Sequence, residues 1–387
     1  MPQVKLLIGT RKAAFVYTSD DSRQKWELSK PMIPGWQIYH MAADLRDRTP
    51  RFYAAGNHMV WGPVVAKSVD GGETWDMRSQ GLGFPKELEL RIHSVWHIRP
   101  GHESQPGVVY AGTAPPGLFR SEDWGVSWQS VDSINRHEHR TYWQPIAGSV
   151  PPDAEVSRAG GPPVQSIEID PRDPDHMYVA ISGAYVTLDG AKTWRLFSHR
   201  AIAESAGARV FISQTASDLP PGIDPAAAHD MHRLRIDPKR PDRLWTQAHF
   251  GVFRSEDGGR SWQDVTEGLP SFHGFPIAIT RREPDAVYVV PLEVGSDNFR
   301  TAGGQFAVYR TRDAGATWAR LTEGLPGADD YQSVYREGMD TDGLEPEGVY
   351  VGTSNGHVYA SPDLGEHWLE LPGHLPPVLS VTAVVLP

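Results

Sequence analysis

Short apolar stretches rich in β-branched and aromatic residues recur along the chain, separated by clusters of Gly, Pro, Asp and Ser. Examples are KLLIGT (Lys5–Thr10), VVYAGT (Val108–Thr113), VQSIEIDP (Val164–Pro171), MHRLRIDP (Met231–Pro238) and VLSVTAVVLP (Val378–Pro387). Each is the length of a strand and too short for a globular helix, and the turn formers between them favour hairpins. The pattern predicts an all-β chain of many short strands.

Between these stretches one octapeptide returns, Ser/Thr-x-Asp-x-Gly-x-x-Trp. It occurs at Ser68–Trp75, Ser121–Trp128, Thr187–Trp194 (with Gly190 one place early and Ala191 at the Gly position), Ser255–Trp262, Thr311–Trp318 and Ser361–Trp368, and a worn copy at Ser19–Trp26 has Arg23 in place of Gly. The aspartates are Asp21, Asp70, Asp123, Asp189, Asp257, Asp313 and Asp363, spaced by 49, 53, 66, 68, 56 and 50 residues. That interval suits one four-stranded propeller blade with variable loops. The Asp and hydroxyl side chains can accept backbone N–H bonds in a tight turn, and Gly supplies a positive φ. The aromatic then starts the next strand and can pack between sheets.

The expected fold is a seven-bladed β-propeller over residues 1–387, a single domain. With strands lettered A to D from the axis outward, the octapeptides form the C–D turns. The chain enters at a B strand, so VLSVTAVVLP is expected to supply the missing A strand of blade 1 and close the ring, removing an open sheet edge. The A–B and C–D turns share one face. Longer insertions at about 129–163, 196–230 and 292–305 belong to the other, where a roofed pocket over the axis is predicted.

Composition narrows the partners. The formal charge is −11, which opposes nucleic acid or an anionic membrane as the main partner. There are no cysteines, so disulfides and thiolate sites are excluded. No apolar run is long enough to span a bilayer, and the first residues lack a signal-peptide core, so a cytoplasmic protein is expected. Thirteen Trp are present, most explained by the octapeptides.

Candidate chemistry comes from histidines at the starts of A strands and in B–C loops: His40, His93, His229, His232, His273, His58 and His249. Neutral imidazoles converging on an axis suit zinc, iron or copper, with His40, His232, His249 and His229 as ligands. The same groups could serve acid–base catalysis without metal, or simply line a polar pocket. In blade 7, Glu337 replaces an aliphatic residue and is the candidate base, beside Arg336 as anion clamp and Tyr335. Tyr39, Trp61, His93, His273 and Glu293 are candidate substrate contacts. The favoured reading is metal-assisted hydrolysis or lysis of a small polar molecule. One alternative is a glycoside hydrolase with two carboxylates drawn from Asp230, Glu293, Asp297, Asp330 and Glu337, taking a carbohydrate against the aromatic loops. Another is a non-catalytic scaffold for a protein partner.

The octapeptides, with LLIGTRKAAFVYTSDD, GWQIYH, TEGLPSFHGFPIAI and VYVVPLE, resemble the BNR/Asp-box repeat propellers over essentially the whole chain. More closely, the chain resembles bacterial WD40/YVTN/BNR-like proteins often labelled exo-α-sialidase. That resemblance implies the propeller fold and leaves activity open, since such propellers serve as enzymes, receptors and scaffolds. Sialidases are generally six-bladed, with a Phe/Tyr-Arg-Ile-Pro motif ahead of the first box and an arginine triad. This chain has seven repeats and lacks the motif.

Overall fold

The computed structural model describes residues 2–143, 162–181, 183–197, 202, 231–283, 285–293 and 301–387. Most of the two longest insertions, part of the third, and with them His229, Asp230 and Asp297, lie outside the described residues. Among those described, the strands form six four-stranded sheets and one three-stranded sheet, each a blade. In blade 2 (Gln37–Asp44, Arg51–His58, Gly62–Ser68) the fourth strand is reduced to a single bridge between Lys67 and Asp76. The ring closes as expected: Val378–Leu386 pairs antiparallel with Gln3–Thr10, Gln3 opposite Leu386 and Gly9 opposite Ser380. No helix among the described residues is long and apolar enough to cross a membrane.

The octapeptides form the C–D turns and are locally self-sufficient. In the second, Ser68 Oγ donates to Asp70 Oδ1 (2.7 Å) and accepts from the Gly72 N–H (2.9 Å). Asp70 also accepts from the Thr74 N–H (3.0 Å) and from Thr74 Oγ1. The same bonds recur at Asp123, Asp189, Asp257 and Asp313. Such bonds favour the charged form: Thr193 holds Asp189 down at about 2, and Thr317 does the same for Asp313.

Three of the turns are also fastened to the preceding blade. Tyr53, Tyr178 and Tyr288, at one register position of their B strands, donate to carbonyls of the next octapeptide at Trp124 (3.3 Å), Gly258 (3.4 Å) and Leu364 (2.8 Å). Three octapeptide tryptophans share a hydrophobic cluster with those tyrosines: Trp128 with Tyr53, Trp262 with Tyr178 and Trp368 with Tyr288. At the closure, Trp26 of blade 1 meets Tyr350 of blade 7 edge to face, 5.7 Å between centroids. The worn first copy has been put to another use. Arg23, at a positive φ of 54°, is buried and pairs with Asp342 of blade 7 (3.0 Å) and the Pro346 carbonyl (2.8 Å).

Candidate active site in the axial cavity

The inner strands are not regular. Pairing slips between Ile38 and His40 in blade 2, Val95 and His97 in blade 3, Met231 and Arg233 in blade 5, and Gly274 and Ile277 in blade 6. An extra residue in one strand bends it and re-aims the side chains that follow, a common device beside functional sites. The residues inside the slips form a belt. Tyr39 stacks on Trp96 (4.5 Å, 21°), His232 packs on Phe275 (4.6 Å), and the Arg336 guanidinium lies over Phe275 (4.5 Å) while donating to Gln165.

Immediately after the belt, the inner strands present charge to the axis. A cavity of about 430 Å³ is lined there by His40, His97, Arg233 and Glu337, then by Arg99, Glu168, Arg235, Arg281 and Asp340 toward the A–B turns. Strand alternation explains the pairs: His97 and Arg99, or Arg233 and Arg235, are two apart and share one side of their strand. None of the belt side chains lines the cavity, which continues instead to Leu45, Pro100 and Pro238 at the strand ends. The roof expected over the other end of the axis falls on insertions that lie mostly outside the described residues. The cavity leads to the face carrying the A–B turns and the octapeptides, and the belt separates it from the face of the long insertions.

Glu337 is the deep centre. Its carboxylate is buried against the Arg233 guanidinium, with His97 Nδ1 3.0 Å from Oε1 and His40 Nε2 3.5 Å from Oε2. His40 Nδ1 accepts the Ile98 N–H (3.2 Å), so the proton of the neutral ring sits on Nε2, facing Glu337. His97 Nδ1 faces a carboxylate and is the N–H tautomer there. Its Nε2 has no hydrogen-bond partner among the described residues. Burial, reinforced by the charge of Arg233, pushes both imidazoles well below the ordinary histidine value of 6.5.

Donor atoms of His40, His97 and Glu337 lie within 4.8 Å of one another, the spacing of a metal site. The ring orientation does not fit one. The two imidazoles are stacked nearly parallel, 4.4 Å between centroids and 7° between planes. A ring nitrogen ligates in its own plane, and two stacked planes do not meet at one ion. Glu337 is moreover already neutralised by Arg233.

The remaining candidates stand elsewhere. His232 is not grouped with His40: its Nδ1 contacts the Gly274 carbonyl (2.6 Å) and its Nε2 the His249 ring (3.4 Å), so both nitrogens are engaged. His249 and His273 pack with it, 4.8 Å apart, as a second cluster on blades 5 and 6. Arg336 is not the cation beside Glu337; that place belongs to Arg233, and neither Arg336 nor Tyr335 lines the cavity. Tyr39 donates to Gln37 (2.7 Å) within the belt, and His93 lies against Ser94 (3.4 Å). Glu293 accepts the Gly303 N–H (3.1 Å), and Asp330 is bonded to Gln332. Trp61 is 77% exposed on the loop that also exposes Met59 and Val60.

Sequence reasoning missed His97, Arg99, Glu168, Arg233, Arg235, Arg281 and Asp340. Their signal was present: charged residues at alternate positions inside buried inner strands, as in HIRP, SIEID, HRLRID and EGMDTD. A charge at such a place must face a partner or a channel.

Comparison with known proteins agrees with the class of fold and adds relatives. No protein-family model matches the chain. It is 24% identical over 267 residues to a probable oligoxyloglucan-reducing end-specific xyloglucanase of Neosartorya fischeri, covering 67% of this chain and 28% of that protein. It is 27% identical over 229 residues to the oligoxyloglucan-reducing end-specific xyloglucanase of Emericella nidulans, covering 58% and 23%. The chain thus spans about a quarter of the length of these curated relatives. Among solved structures, the GH74 enzyme of Niastella koreensis superposes with a TM-score of 0.60 at 14% identity, over 94% of this chain and 54% of that one. That likeness shows the fold.

Proposed function

We propose that the chain is a carbohydrate-active propeller and that its axial cavity carries out glycoside hydrolysis. The observation that carries this reading is the similarity to xyloglucanases over more than half of the chain. The cavity supports it with the groups the reaction needs, two carboxyls flanking a glycosidic bond. Glu168 and Asp340 are the pair we assign, both within reach of the Arg235 guanidinium, at 3.2 and 3.5 Å. Beneath them His97, oriented by Glu337, can hold or pass a proton through Nε2, and Glu337 acts as a positioning residue. Release of reducing sugar from xyloglucan oligosaccharides and a panel of other glycans tests this. Glu168→Gln and Asp340→Asn are each expected to lower turnover by about 100-fold or more. Full activity in both variants would remove the assignment.

The metal-assisted reading rests on the 4.8 Å clustering of His40, His97 and Glu337. It requires one ring to turn out of the stack and Arg233 to withdraw. Stoichiometric zinc, iron or copper in protein purified without a tag, lost in His97→Asn, would support it over the metal-free scheme.

A further inference from the structure

The charged groups nearer the mouth form a relay of four contacts linking five blades. Arg99 of blade 3 contacts Glu168 of blade 4 (3.6 Å), which contacts Arg235 of blade 5 (3.2 Å). Arg235 reaches Asp340 of blade 7 (3.5 Å), and Asp340 contacts Arg281 of blade 6 (3.7 Å). The relay alternates in sign and both its ends are arginines. Blades 1 and 2 complete the wall at this level with Thr382, Ala383, Ala42 and Ala43, which carry no charge. In the whole cavity, four guanidinium groups (Arg99, Arg233, Arg235, Arg281) face three carboxylates (Glu168, Glu337, Asp340). With His40 and His97 neutral, the lining is one negative charge short of balance.

The two terminal arginines differ from the other two. Arg233 is buried against Glu337, and Arg235 is bound on both sides. Arg99 is held at 3.6 Å, and Arg281 at 3.7 Å with a long bond to the Ala383 carbonyl (3.5 Å), with side chains 38% and 46% exposed. They are free to exchange a loose internal ion pair for a closer, charge-assisted contact to an arriving anion. The excess of positive charge is local, because the chain as a whole carries −11. A net positive charge in a low-dielectric cleft favours an arriving charge of the opposite sign.

We infer that the axial cavity takes a small monoanion, and, resting on the carbohydrate reading above, that this anion is an acidic sugar whose carboxylate is received at one end of the relay, by Arg99 or by Arg281. A cavity of about 430 Å³ accommodates a single sugar unit and not a polymer segment. The acidic unit is accordingly a free monosaccharide or a chain end.

Calorimetric titration with sodium D-glucuronate, D-glucose and sodium acetate tests this, because glucose matches glucuronate in everything but the carboxylate. Glucuronate is expected to bind at least about tenfold more tightly than glucose or acetate, with affinity falling as salt rises. Of Arg99→Gln and Arg281→Gln, both at the exposed mouth, one is expected to weaken glucuronate about tenfold, as is the double variant, while circular dichroism stays native. Glucose binding as tightly as glucuronate would overturn the anion inference and leave the carbohydrate reading standing. Acetate binding as tightly as glucuronate, with glucose inert, would do the reverse. Absence of binding by all three, or glucuronate binding unchanged in the double variant, would overturn the proposal.

Discussion

Two sets of carboxylates organise this molecule, and they are built on opposite principles. Six of the octapeptide aspartates, all but Asp21, lie at the rim and are each satisfied by side chains and N–H groups within four residues, as Asp257 is by Ser255 and Ser261. The axial carboxylates are buried, and each is satisfied by residues from other blades: Glu337 by Arg233 and His97, Glu168 by Arg235, Asp340 by Arg235 and the Ala383 N–H. A turn that closes on itself can be repeated seven times and drift only slightly. A centre assembled from several blades exists only once the ring has closed. The rim therefore fixes the fold, and the axis is the place where chemistry can differ without disturbing it.

The sharpest break between the two should come at Glu337. Glu337→Ala leaves Arg233 buried without its counter-ion, and we expect about 3–5 kcal/mol of lost stability by urea unfolding. A loss under about 1 kcal/mol would mean that Arg233 finds another partner and that the centre is looser than described.

Acid should act on the axis before it reaches the rim. His40 and His97 are neutral in the fold, with values pushed well below the 6.5 of a free imidazole. Below that value the unfolded chain binds protons that the native state does not, so stability falls as pH drops from about 6.5. The slope is up to about 1.4 kcal/mol per pH unit for each ring. The octapeptide aspartates have depressed values, near 2 for Asp189 and Asp313, so their contribution is retained until far lower pH. Urea midpoints at pH 7 and pH 5 check this, and a slope that persists in a His40→Gln/His97→Gln double variant would contradict it.

At the rim the effects should be smaller and confined to stability. Asp257→Ala removes turn bonds and is expected to cost about 1–2 kcal/mol with turnover unchanged. Tyr288→Phe removes one bond to the Leu364 carbonyl and should cost about 0.5–1.5 kcal/mol. An Asp257 variant of native stability but impaired turnover would erase the division between rim and axis.

The same contrast explains what the sequence disclosed. The octapeptides carry their partners within eight residues, so the blade count, the C–D turns and the closure by Val378–Leu386 could be read directly. The axial centre could not, because Glu337 lies 240 residues from His97 and 104 from Arg233. His40 and Glu337 were recognised as unusual, but their neighbours were assigned by residue type. That drew in His232, which a bulge of one residue turns into the belt, and Arg336, which lies over Phe275; neither lines the cavity. The bulges have no marked sequence signal of their own. The alternate charges of HRLRID and SIEID do, and they pointed to the axis more reliably than the histidines.

The claim that chemistry resides among the axial carboxylates is tested most directly by sugar release from xyloglucan oligosaccharides and acidic glycans, comparing the unmodified protein with Glu168→Gln. Turnover by the unmodified protein, reduced about 100-fold or more in a variant of native fold, is the expected result. Turnover that survives the substitution unchanged, or its absence on every glycan in the unmodified protein, would contradict the account.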